Sequence, residues 1–164
     1  MICEKFIHND PDAFHGKELT LHDCISDKIS FENGILRFNM PDGFWVTTHH
    51  NDNECGKIVR TGVSKVDFTV KDLDDITVRV FRPKRWCWSR KTSVEVWHIE
   101  HLISEVNSGK CTIEFVTQYR TYFEQMWHCI IHSKKKLYYR ECQLHLPETD
   151  AIFRWNNLRP ECEW

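Results

Sequence analysis

The run Lys28-Ile29-Ser30-Phe31-Glu32-Asn33-Gly34-Ile35-Leu36-Arg37-Phe38-Asn39-Met40 decides how this chain is read. Ile29 and Phe31 alternate with Lys28, Ser30 and Glu32 before Asn33-Gly34 interrupts the pattern. Asn-Gly between alternating runs marks a β-hairpin, because a type I′ turn needs positive φ at both central residues. That turn sets a register. Glu32 faces Ile35, Phe31 faces Leu36 and Ile29 faces Phe38, so four apolar side chains share one face. Pro41-Asp42-Gly43 supplies a second turn, which predicts Met40 against Phe44 and Phe38 against Val46 in a three-stranded meander over about residues 27–49.

The same alternation recurs along the chain. Val66, Phe68 and Val70 lead into the acidic turn Lys71-Asp72-Leu73-Asp74-Asp75, and Ile76, Val78 and Val80 lead out, which reads as a second hairpin with one wet face. Cys111, Ile113 and Phe115 form a strand. Tyr122–Leu146 reads as a long hairpin around Ser133-Lys134-Lys135-Lys136, its first arm apolar at both parities, and Ala151–Trp155 as a short last strand. One helix is predicted over about 93–108. Thr92-Ser93-Val94-Glu95 matches a capping box, Val96, Ile99, Leu102, Ile103 and Val106 recur at helical spacing, and Asn107-Ser108-Gly109 supplies a stop. Val94 and Val96 also alternate as in a strand, but the two caps favour the helix. The first ~20 residues, with Asp10-Pro11-Asp12 and Gly16, read as an irregular lead-in. The expected fold is α+β, dominated by antiparallel β, with hairpin sheets forming a sandwich or a curved sheet and one helix packed on a face. No repeat, linker or low-complexity tract divides residues 1–164, which read as a single domain.

Composition narrows the functional classes. Seven Trp and ten Phe among 164 residues provide core material and exclude a disordered chain. The formal net charge of −2 offers no general attraction to nucleic acid or anionic membrane, and the basic clusters Lys134-Lys135-Lys136 and Arg82, Lys84, Arg85 read as solvated turns. The segment Met1–His8 lacks the apolar core of a signal peptide, and no stretch reaches the ~18 apolar residues of a membrane helix. The eight cysteines at 3, 24, 55, 87, 111, 129, 142 and 162 are evenly spread without a Cys-x-x-Cys pair, which fits reduced thiols and a cytoplasmic protein.

Few constellations suggest chemistry. His49, His50 and Cys55, with Asp52 and Glu54, share one polar loop, but their spacing matches no standard zinc site. His98, His101 and Glu105 fall on one helical face, in an order that departs from the zinc-protease motif. His22-Asp23-Cys24 are sequence neighbours, whereas a nucleophilic triad assembles from separate segments. No metal ligand, cofactor or catalytic residue is expected. The candidate binding residues are Asp72, Asp74 and Asp75, the clearest negative patch, together with Trp86 and Trp88 in an aromatic connection; Trp45, Trp97 and Trp127 are further stacking candidates.

Three segments carry a resemblance. Leu19-Thr20-Leu21-His22-Asp23-Cys24, then Ile35-Leu36-Arg37-Phe38 through Pro41-Asp42-Gly43-Phe44-Trp45-Val46, then Phe153-Arg154-Trp155-Asn156 resemble small β-rich bacterial proteins, often from Firmicutes, some of which are similar to immunity proteins of polymorphic toxin systems. The likeness spans about a third of the chain and consists of turns and core positions, so it implies a fold and carries over no site residue. It implies a non-enzymatic intracellular domain that occludes the active site of a cognate protein toxin. The alternatives are a small-ligand or carbohydrate-binding β domain using exposed Trp, and a metal-dependent hydrolase.

Overall fold

The computed structural model describes residues 5–10, 18–82, 93–121, 123–134, 139–147 and 149–164. Among them run strands β1 (Phe6–Asp10), β2 (Leu19–Thr20), β3 (Cys24–Ser26), β4 (Lys28–Glu32), β5 (Ile35–Met40), β6 (Trp45–Val46), β7 (Val59–Thr61), β8 (Ser64–Thr69), β9 (Thr77–Phe81) and β10 (Val94–His98). Helix α1 (Ile99–Asn107) follows, and then β11 (Cys111–Arg120), β12 (Glu124–Ser133), β13 (Tyr139–Pro147), β14 (Ala151–Trp155) and β15 (Leu158–Glu163). They build three antiparallel sheets, ordered β1-β14-β8-β5-β4, β10-β9-β13-β12-β11-β3 and β15-β7-β6-β2. The fold is α+β and mostly antiparallel β, with one α-helix among the described residues. No helix among these residues is long and apolar enough to cross a membrane.

The Asn33-Gly34 hairpin has the register that its turn dictates: Glu32 opposite Ile35, Phe31 opposite Leu36 and Ile29 opposite Phe38. Both turn residues have positive φ, +53° for Asn33 and +75° for Gly34. The long β12–β13 hairpin also forms, with Cys129 directly opposite Cys142. Burial in β12 alternates, with Gln125, Trp127, Cys129 and Ile131 inside and their neighbours half-exposed, so this strand is covered on one face rather than two.

Further expectations change. The meander over 27–49 stops at Met40. Beyond it, β6 pairs with β2 and β7 in the small sheet, while β5 takes β8 as its second neighbour. Pro41-Asp42-Gly43 is therefore a corner between sheets. Gly43 sits at φ +78°, and a Cβ there would collide with the backbone oxygen of Thr61, so the corner requires glycine on two counts. The 66–80 hairpin is also absent: β8 and β9 lie in different sheets, and the chain crosses between them through a single 3-10 turn, Leu73–Asp75, capped by the Asp72 side chain. Finally, the helix starts at Ile99 rather than 93. Val94–His98 pairs with β9 as an edge strand, leaving Val96 69% exposed, and Glu95 bonds Arg82 across the ladder instead of closing a capping box. Val-Glu-Val-Trp is β-branched and aromatic at the positions that a strand rewards, and the partner ladder outweighs the local helix signal. Thr92 lies outside the described residues. The N-terminal lead-in also contains a strand, since β1 pairs with β14.

The two large sheets meet through aromatic side chains. Phe38 and Phe68 of one contact Phe115 and Trp127 of the other, with ring centroids 5.1 Å apart for Phe38–Phe115 and 6.3 Å for Phe68–Trp127. Phe44 carries the core toward the small sheet, edge-on to Phe153 and Trp155. Helix α1 adds Ile99, Leu102 and Val106. Its last residue also closes a sheet edge. The Asn107 side chain accepts from the Ile29 N–H at 2.9 Å and donates to the Ile29 carbonyl at 2.7 Å, as a neighbouring strand would. On the outer face of the first sheet, Asp67 is 1% exposed beneath Arg37 and Arg154, which bond it at 2.6, 2.7 and 2.8 Å. Burial alone would raise its pKa, but the bonds from both guanidinium groups outweigh burial and hold the carboxyl below its ordinary value of 3.8.

Asn107→Ala removes both partners of the Ile29 backbone and is expected to cost about 1–3 kcal/mol, read from the urea midpoint at unchanged m. Because the Asp67 pKa is depressed on folding, its contribution is present in full above the ordinary value and is lost as pH falls through the folded one. Asp67→Asn is expected to destabilise by about 3 kcal/mol at neutral pH and to flatten the decline in stability below about pH 4, measured by denaturation across pH 2–7.

Candidate functional site

The crossing between β8 and β9 places the acidic turn at one margin of the large sheet. Asp72 is spent on capping: its Oδ1 accepts from the Asp74 N–H at 3.1 Å. Asp75 lines an open groove of about 380 Å³ together with Thr77, Arg79, Phe123, Glu124, His145, Leu146 and Pro147. The walls are the first residues of β9, the last of β13 and the first of β12. The register sets His145 opposite Thr77 and Met126, and Glu124 opposite Pro147. His145 Nδ1 lies 3.6 Å from a Glu124 carboxylate oxygen. Phe123 stands at the rim, 86% exposed, the most exposed large apolar side chain among the described residues. Of Asp72, Asp74 and Asp75, only Asp75 lines the groove. Phe123, the apolar residue of that groove, falls in the sequence reading inside the first arm of the Tyr122–Leu146 hairpin, where nothing marks it as exposed.

Trp86 and Trp88 lie outside the described residues, as do Lys84, Arg85, Lys135 and Lys136. The other tryptophans divide by layer. Trp127 and Trp155 are core, at 4% and 1% exposure. Trp45 is covered by the Arg60 guanidinium at 4.6 Å, and Trp97 by that of Arg140 at 4.9 Å. Trp164 is exposed but stacks on His22 at 5.4 Å and packs against Trp45.

Of the reactive-looking sequence neighbours, His22 and Asp23 stay paired, with His22 Nε2 3.5 Å from an Asp23 carboxylate oxygen. Asp23 takes a positive φ of 56°, and His22 donates through Nδ1 to the Val116 carbonyl at 2.5 Å. The Cys24 thiol is buried beneath them. Burial pushes its pKa up to about 11 against the opposing pull of Arg60, so it stays protonated and is no nucleophile. His98 ends β10, while His101 meets the Trp97 ring edge-on and Glu105 pairs with Lys110 at 2.6 Å. In the 49–56 loop His50 turns inward, 5% exposed, whereas His49, Asp52 and Glu54 stay at the surface. That loop is organised by Asn53, whose amide donates to the carbonyls of Val46, Thr47 and Lys57 and accepts from the Cys55 N–H.

His50 does acquire neighbours, but from elsewhere in the chain. His8 on β1 and Glu18, which immediately precedes β2, lie beside it, and ligand-competent atoms of the three are within 4.8 Å of one another. Separations of 10 and 32 residues leave no motif to read. No protein-family model, curated protein or solved structure matches the chain.

Thiol chemistry offers a direct check. Cys24, Cys111, Cys129 and Cys142 are buried free thiols, and Cys55 and Cys162 are partly exposed. Burial raises the pKa of Cys111, and burial together with the Cys142 thiol raises that of Cys129. Alkylation of the native protein at pH 8, mapped by peptide mass spectrometry, is expected to modify Cys55 and Cys162 at least tenfold faster than these four.

Proposed function

We propose that this chain is a non-enzymatic, intracellular protein-binding domain, and specifically an immunity protein that neutralises a cognate toxin by covering its active site. The observation that carries the reading is that an exposed Phe123 and Asp75, the last residue of the acidic turn, line one groove. Interfaces of this kind use a few apolar anchors for affinity and a charged surround for steering. Asp75 and Glu124 bring negative charge to the groove that Phe123 borders, which Arg79 and His145 also line, and Asp72 and Asp74 belong to the same turn as Asp75. Such a surface suits a basic partner. A toxin that acts on nucleic acid must present one, since its active site holds phosphates. The resemblance of the hairpin and turn segments to proteins similar to immunity proteins points the same way.

The test begins with the protein encoded beside this chain. Copurification with a toxin domain and a nanomolar dissociation constant by calorimetry support the proposal. Phe123→Ala is expected to weaken that complex by about 2 kcal/mol, roughly thirtyfold, mainly through faster dissociation. Asp74→Lys with Asp75→Lys is expected to slow association about tenfold at low salt and to reduce its ionic-strength dependence. A complex that forms with unchanged rates in both variants places the interface elsewhere, and a neighbouring gene product that does not bind removes the immunity reading.

A further inference from the structure

The cluster of His8, Glu18 and His50 is built by three elements that the fold brings together for other reasons. His8 is on β1 opposite Phe153, on the face that carries Phe6, Phe153 and Trp155 toward the core. Glu18 is tied to the small sheet by its carbonyl, which accepts from the Thr47 N–H at 2.8 Å. His50 is held by its own backbone, donating to the Thr47 carbonyl and accepting from the Asn53 N–H at 3.0 Å. The two imidazole rings meet at 4.9 Å, and His50 also lies edge-on to Trp155 at 5.4 Å. Other described histidines pair with a single carboxylate, as His128 does with Glu141 and His145 with Glu124. In this cluster a second imidazole joins the pair.

We infer that His8, Glu18 and His50 form a binding site for one zinc ion. Two imidazoles and a carboxylate are borderline and hard donors of the kind zinc accepts, and three protein ligands leave a fourth position for water. Zn–N and Zn–O bonds of about 2.1 Å in tetrahedral order put ligand atoms about 3.4 Å apart. His8 Nε2 and Glu18 Oε2 are already 3.2 Å apart. The Glu18 side chain is 41% exposed and that of His8 28%, so both have room to turn toward the buried His50 and leave the open position on the solvent side. In the metal-free ring His50 Nδ1 accepts from the Asp52 N–H at 3.1 Å, so Nε2 carries the proton, and Nε2 takes the metal only when that bond opens and the proton passes to Nδ1. An imidazole that binds metal through Nε2 carries its proton on Nδ1, and an Asp52 carboxylate oxygen 3.8 Å from that atom has to turn inward to accept it in place of the Asp52 N–H bond. Asp52 is thus a positioning residue. Trp155, with Phe6 stacked on it at 5.4 Å, supplies the apolar wall.

The experiment uses the full chain without a histidine tag, stripped of metal and titrated with zinc in competition with a chromophoric chelator. The expected result is a one-to-one complex at micromolar or tighter affinity, with a rise in thermal midpoint. Glu18→Gln and His8→Gln replace half-buried side chains by uncharged ones of similar size and are expected to weaken zinc at least tenfold while lowering the metal-free midpoint by no more than a few degrees. Asp52→Asn is expected to weaken it about tenfold. Cobalt substitution distinguishes this site from the cysteines: nitrogen and oxygen ligation gives visible d–d bands without thiolate charge transfer. The inference is overturned if no one-to-one complex forms, if Glu18→Gln and His8→Gln bind as wild type, or if binding disappears in a Cys55→Ser, Cys162→Ser variant.

Discussion

The contact between Phe38 and Phe68 on one sheet and Phe115 and Trp127 on the other is the constraint around which the rest is arranged. Four large rings from four strands interlock edge to face, a geometry that adds to their area burial and fixes how the two sheets sit. Once they are clamped there, neighbouring strands in sequence cannot all be neighbours in space. The chain leaves one sheet for another at Asp27, at Pro41–Gly43 and at Asp72–Ile76, among other places, and turn residues mark these crossings, with Leu73 and Ile76 of the last packed on the core. The acidic turn sits on the margin of the large sheet for that reason. The groove beside it lies where the strand changes layers, and the 3-10 turn that Asp72 caps brings Asp75 to its wall.

That same constraint separates what could be read from the sequence from what could not. Alternation of Ile29, Phe31, Leu36 and Phe38 plus a two-residue turn specifies a partner, a register and a buried face, and all three are found. Alternation of Val66, Phe68, Val78 and Val80 specifies only that each strand has one dry face. A turn of several residues accommodates a hairpin or a crossing equally well, and only the opposite layer decides. The 93–98 segment shows the converse case. Its helical spacing extended that of the true helix, but Val94–His98 completes a ladder with β9, and backbone pairing over five residues outweighs a local cap. Of the site residues, the acidic turn was legible because charge clusters are visible in one dimension. Phe123 was not, because solvent exposure of one ring depends on which strands end beside it.

The two candidate sites share no residue and sit on different sheets, the groove on the β9–β13–β12 margin and the histidine cluster between β1 and the loop after β6. A defect in one is therefore readable without disturbing the other. Their chemistries also differ. Exposed rings and carboxylates suit a broad surface contact, whereas two imidazoles and one carboxylate around a nearly buried His50 suit a small cation.

Asn107 has a consequence of another kind. Its carboxamide occupies the outer edge of β4 by offering one donor and one acceptor together, and a carboxylate in its place offers acceptors alone. Asparagine before a small residue such as Ser108 is prone to hydrolytic ageing, and loss of that one nitrogen would leave the Ile29 carbonyl unserved and the strand border unsealed. An unsealed border is a template for another copy's backbone. The closure of this sheet border thus hangs on one side-chain amide at the end of a short helix.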